Sequence, residues 1–105
     1  MADRISNYEA KGWVNSRQEF NASNIHARWH GDRYVVYSYG DHFPMYIYDS
    51  SKHIWIGNAD KYSVTTSKHQ SQTRPYDVTF YCNTEAMQAI ARGKPLSNVI
   101  LGIER

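Results

Sequence analysis

Thr65-Thr66-Ser67-Lys68-His69-Gln70-Ser71-Gln72-Thr73-Arg74 strings hydroxyls, amides and cations together without one carboxylate. Thr65, Thr66, Ser67 and Ser71 offer hydroxyl donors, Gln70 and Gln72 offer two-sided amides, and Lys68, His69 and Arg74 add charge. Recognition of a sugar-phosphate, or of any acceptor-rich partner, draws on this mixture: cations for attraction and neutral donors for geometry. The competing reading is a solvated inter-strand loop whose hydroxyls serve its own backbone. Thr65, Thr66, Lys68, His69, Gln70 and Arg74 are the first candidates for contact with a partner. Arg28 and Trp55 join them from neighbouring strands.

The remaining reactive side chains make poor catalytic sets. His26 and His30 are four apart, a metal-pair spacing on a helix. They lie in an alternating run, however, and on a strand they stand roughly 13 Å apart, too far for one ion. His69-Gln70-Ser71 has the His-x-Ser form of two-histidine phosphoesterases, which need a second such unit to supply both acid and base. His26, His30, His42 and His53 are followed two positions later by Arg, Asp, Pro and Trp, so no second unit exists. Cys82 shares a strand face with Phe80 and Val78 and reads as an inert core thiol. Asp41, Asp49, Asp60 and Asp77 sit at turns or on outer faces without a convergent pair. The expectation is a protein that is not an enzyme and carries no cofactor and no metal.

Composition narrows the setting. The chain has 105 residues and reads as a single domain over 1–105, with a formal charge of +2, too small to imply an electrostatic nucleic-acid binder by itself. Nine tyrosines and three tryptophans supplement an apolar fraction of 41%, so a modest core rests on aromatic area. One cysteine excludes an intrachain disulfide and a cysteine-rich zinc site, which favours a reducing compartment. Met1-Ala2-Asp3-Arg4 meets an acid at once, with no apolar h-region behind it. No apolar run approaches the roughly 18 residues of a membrane span. A cytoplasmic protein without membrane association is expected.

These side chains must be positioned by strands. Ile25, Ala27 and Trp29 alternate with His26, Arg28 and His30, which places the latter three on a basic outer face. Gly31-Asp32 supplies a tight turn, and Arg33 to Tyr39 returns, apolar on both faces and so central. Met45 to Asp49 and His53 to Gly57 predict a second hairpin, with Ile47, Ile54 and Ile56 inward. If Ile54 and Ile56 face in, Trp55 and His53 face out beside Tyr46 or Tyr48, an aromatic patch of the kind interfaces use. A place in the core is the favoured reading of Trp55, because so few aliphatic residues are available to build one. Tyr62 to Thr66 has the β-propensity of a weak strand, and Tyr76 to Cys82 alternates as another. One helix is clear: Asn83 or Thr84 caps it, Met87, Ile90 and Ala91 form its stripe, and Gly93 and Pro95 stop it. A short helix over Arg4 to Lys11 is the other candidate, with Asp3 as cap and Gly12 as terminator. Residues 15–24 read as irregular. The fold class is α+β, an antiparallel sheet of about four to six strands with one C-terminal helix (residues 84–92) packed on it.

Tyr37-Ser38-Tyr39-Gly40-Asp41-His42-Phe43-Pro44, then Trp55, Asn58 and the segment from Tyr62 to Gln70, resembles a family of small uncharacterised bacteriophage and plasmid proteins. The likeness covers residues 33–75 and implies a mobile-element origin. Small phage proteins of this size commonly inhibit host defence machinery or bind nucleic acid as accessories. The reading this implies is a non-enzymatic binding protein, anti-CRISPR-like, that occludes a host protein or nucleoprotein complex in the host cytosol. One alternative is a direct nucleic-acid binder whose Lys61, Lys68, Arg74 and Arg28 neutralise phosphates. A nucleotide sponge or small phosphoesterase using His69 is another.

Overall fold

Seven strands of the described residues form one sheet in chain order. They are β1 (Asp3–Arg4), β2 (Phe20–Asn21), β3 (Ile25–His30), β4 (Arg33–Ser38), β5 (Phe43–Asp49), β6 (Ile54–Asn58) and β7 (Phe80–Cys82). Three α-helices accompany them: α1 (Ala10–Asn15), entered through a 3-10 turn at Asn7–Glu9, α2 (Val64–Thr73) and α3 (Thr84–Ala91). The structure is a computed structural model that describes residues 3–40, 43–60 and 64–94, without the side chains of residues 64–66.

The sheet is mixed rather than antiparallel. β2 through β6 run antiparallel, whereas β1 pairs parallel with β2 and β6 parallel with β7. Parallel neighbours require a crossover, and here a helix occupies each one, α1 between β1 and β2 and α2 between β6 and β7. The weak strand expected at Tyr62 to Thr66 is therefore corrected: from Val64 onward the chain is helical, and Tyr62 and Ser63 lie outside the described residues. The N-terminal helix also moves. Arg4 is in β1, the α-helix begins at Ala10, and Gly12 lies inside it instead of ending it. Phe20–Asn21, expected to be irregular, pairs with β3, and of the strand expected over Tyr76 to Cys82 only Phe80–Cys82 forms.

Both faces of the sheet are covered, which leaves β4 buried from Tyr34 to Ser38. On one face Tyr34, Val36, Ala27, Phe20 and Tyr46 pack with Ala10 and Val14 of α1. On the other, Val35, Ile47, Ile56 and Cys82 pack with Met87 and Ile90 of α3, the expected C-terminal helix, whose cap Asn83 accepts from the Ala86 N–H. Trp29, expected in the core, is half-buried at its margin. A bulge at Met45 shifts the β4–β5 register, so that Tyr37 faces Pro44 while Val36 faces Tyr46. A proline within an interior strand is tolerated at such a break in the ladder.

Candidate binding surface on helix α2

From Ser67 to Thr73 helix α2 is polar all round, its inner side included. His69, Gln70 and Thr73 (i, i+1, i+4) face the sheet and are buried. Each makes a hydrogen bond where an ordinary amphipathic helix would bury a leucine. Ser38 Oγ, at the end of β4, lies 2.8 Å from His69 Nδ1. The Tyr46 hydroxyl donates to the Gln70 carbonyl at 3.1 Å, and Gln70 Nε2 donates to the carbonyls of Asn58 and Asp60 at 3.1 and 3.2 Å. Thr73 Oγ1 turns back to the His69 carbonyl at 2.8 Å, a local bond that satisfies the hydroxyl within the helix. Gln70 Oε1 is buried without a partner among the described residues.

The loop beneath α2 is tied to the rest of the sheet. Asn58 Nδ2 donates to the Pro44 carbonyl at 2.9 Å and to Thr84 Oγ1 at 3.1 Å. The Thr84 N–H donates to Asp60 Oδ2 at 2.8 Å, and hydrogen bonds from the Thr84 backbone and side chain hold the Asp60 carboxyl below its usual range. Burial, and secondly the charge of Lys68, lower the His69 pKa, so the imidazole is kept neutral against Ser38. The Tyr46 phenol is raised by burial, with Arg74 beside it pulling the other way.

The outer side of α2 is left to solvent. Lys68 and Ser71 are exposed, as is Arg74 just past the helix end. Thr65 and Thr66 belong to the first turn, and their side chains lie outside the description, as does all of Lys61. The candidate set thus divides. His69 and Gln70 are corrected from contact residues to anchors, because a helix must turn some side chains inward and His69 is only 3% exposed.

Arg28 and Trp55 are corrected as well. The Arg28 guanidinium is held by the carbonyls of Phe20 and Ala27 at 2.9 and 2.8 Å and by Asn21 Oδ1 at 2.7 Å, fastening β2 to β3. Trp55 is 7% exposed and packs at 5.2 Å from Tyr48 and 6.0 Å from Tyr34. The core reading of Trp55 holds and its place as a contact candidate does not: with two covered faces, both sides of β6 are inside. His26 stacks on Tyr37 at 4.9 Å and His30 Nε2 lies 3.1 Å from the Tyr37 hydroxyl, so both imidazoles lean on one tyrosine. Cys82 is buried, and burial, helped by the Asp60 charge, pushes its thiol up to about 11. Among the described residues no group of His, Cys, Asp or Glu is placed to hold a metal, and no helix is long and apolar enough to cross a membrane.

Sequence reasoning missed Ser38, 31 residues from its histidine and unremarkable inside a strand. It placed His53 near Tyr48 but missed Arg17, which the turn after α1 brings over the same tyrosine. What the fold and site define is a small α+β domain with helices on both faces of a mixed sheet and a cationic helix surface on one of them. No family model, curated protein or solved structure matches the chain.

Proposed function

We propose that this is a non-enzymatic binding protein that occludes a host protein or nucleoprotein complex through the outer side of α2. The observation that carries the reading is the division of that helix. His69 and Gln70 are consumed in holding it to the sheet and Thr73 is buried with its hydroxyl spent inside the helix, while Lys68, Ser71 and Arg74 stand exposed on a segment with no carboxylate. A cationic surface on a helix fastened to the sheet suits an acidic or acceptor-rich partner by charge complementarity. The mobile-element origin and the defence-inhibitor role rest on the resemblance of residues 33–75. The phosphoesterase alternative loses ground, since His69 is turned to Ser38 and away from solvent. The direct nucleic-acid alternative loses Arg28, whose donors serve Phe20, Ala27 and Asn21.

The test is capture from host lysate by wild type and by Lys68→Ala/Arg74→Ala, each with and without nuclease. The reading expects a nuclease-resistant partner whose affinity for the double variant falls about 5- to 150-fold, the loss of charge-assisted contacts worth roughly 1–3 kcal/mol. Lys68→Ala by itself should change stability by about 0.5 kcal/mol or less, as for other exposed charges, whereas Arg74→Ala also removes the guanidinium beside the buried Tyr46 hydroxyl. Undiminished capture by the double variant overturns the assignment of α2. A nuclease-sensitive partner with a steep negative salt slope promotes direct nucleic-acid binding.

A further inference from the structure

Two turns far apart in sequence bring an arginine and a histidine to one half-buried tyrosine. The carboxyl end of α1 closes with the Gln18 N–H on the Trp13 carbonyl (3.0 Å) and the Arg17 N–H on the Val14 carbonyl (2.9 Å). This double closure places Arg17 where helices usually carry glycine, and Arg17 has φ of 54°. Its guanidinium carbon sits 4.6 Å from the centroid of the Tyr48 ring. His53, at the end of the β5–β6 turn, has φ of 56°, and its Nδ1 lies 3.2 Å from the Tyr48 hydroxyl. Left-handed backbone at a non-glycine residue is strained by its Cβ, and here two such residues converge on the same side chain.

We propose that Arg17 and His53, gathered by Tyr48, form a phosphate-binding site. Tyr48 is the positioning residue: its ring face carries the guanidinium, and its hydroxyl holds the imidazole. A phenol that donates to Nδ1 leaves the ring proton on Nε2, free for a ligand. Apart from one bond from Arg17 Nη1 to the Asn15 carbonyl, the guanidinium donors have no hydrogen-bond partner among the described residues. Arg17 and His53 form no ion pair among those residues, and the nearby Glu19 carboxylate instead accepts from the Trp29 N–H at 2.8 Å. Donors arriving from two directions suit a tetrahedral oxyanion, whereas a planar carboxylate is satisfied by a guanidinium alone. The site is built from other turns than α2 and does not rest on the reading of that helix.

The experiment titrates the whole chain with inorganic phosphate, a deoxynucleoside monophosphate and a short single-stranded oligodeoxynucleotide, following backbone amide shifts by NMR. Shifts at residues 17, 18 and 53 are expected. Tighter binding of the oligonucleotide identifies a nucleic-acid strand as the source of the phosphate, and tighter binding of the mononucleotide identifies a free nucleotide. Arg17→Gly and His53→Gly keep the backbone and remove the guanidinium and the imidazole donor. Each should weaken binding at least about tenfold, as loss of a charge-assisted contact does. Each should also melt within about 4 °C of wild type, because glycine relieves the strain. No shift with any of the three probes overturns the site. So does undiminished binding by both variants, or a large fall in melting temperature for Arg17→Gly, which makes Arg17 a packing residue.

Discussion

Removing the Ser38 hydroxyl is the sharpest probe of how α2 is held. Ser38 is fully buried and His69 nearly so, and they meet at 2.8 Å. Ser38→Ala leaves the imidazole Nδ1 facing a methyl group with no water to replace the bond. An unsatisfied buried polar atom costs about 1–3 kcal/mol. For a domain of this size that is roughly 4–8 °C of melting temperature per kcal/mol, within a total stability of about 5–15 kcal/mol. The same contact has a pH signature. The His69 pKa is lowered in the folded state by burial and by Lys68, so the unfolded chain binds the proton more readily. Stability from this group is complete above the unfolded value of about 6.5. It is lost as pH falls from there toward the lower folded value, at no more than about 1.4 kcal/mol per pH unit. His69→Asn keeps an amide near the Nδ1 position and cannot titrate, so it should retain much of the Ser38 bond and abolish this slope. Urea unfolding followed by tryptophan fluorescence between pH 5 and 8 measures both effects. Wild type and His69→Asn falling in parallel from pH 7 to 5, or Ser38→Ala costing under about 0.5 kcal/mol, refutes the anchor.

Cys82 should react slowly with thiol reagents in the native state and rapidly on unfolding, because it is 4% exposed with its thiol raised to about 11; fast native labelling would contradict its place in the core. Arg33→Ala should destabilise by about 3 kcal/mol, since the guanidinium pairs with buried Asp49 at 3.2 Å and donates to the Ile90 and Lys94 carbonyls at the end of α3. A change under about 1 kcal/mol in urea unfolding would mean that α3 docks without it. Burial alone would raise the Asp49 carboxyl, but bonds from Ser51, Arg33 and Lys52 outweigh it and hold the group below its usual range. Its contribution is therefore present above about pH 4 and lost on further acidification. Asp49→Asn should flatten the acid limb of stability below pH 4, and an unchanged limb would count against the network.

Local pattern determined much of this protein without help. The alternation over Ile25–His30, Arg33–Ser38 and the hairpin that follows specifies strands by itself, because period-two burial is written in neighbouring residues. The Met87–Ile90 stripe with its Asn83 cap specifies α3 for the same reason, since helix faces repeat within one turn. Cys82 on the Phe80 side of its strand was legible too. The tertiary structure alone decided α2. Its buried positions among the described side chains are His69, Gln70 and Thr73, so no hydrophobic period marks it there, and its hydroxyl-rich sequence favours a strand until Ser38, Tyr46, Asn58 and Asp60 supply the missing hydrogen bonds. It likewise decided that Trp55 is inside and Arg28 is spent on the β2 edge: alternation tells which residues share a face, whereas only the docking of α1 and α2 on one side and of α3 on the other decides that both faces are covered. The meeting of Arg17 with His53 over Tyr48 is of the same kind, a product of two turns whose distance in sequence carries no trace of their contact.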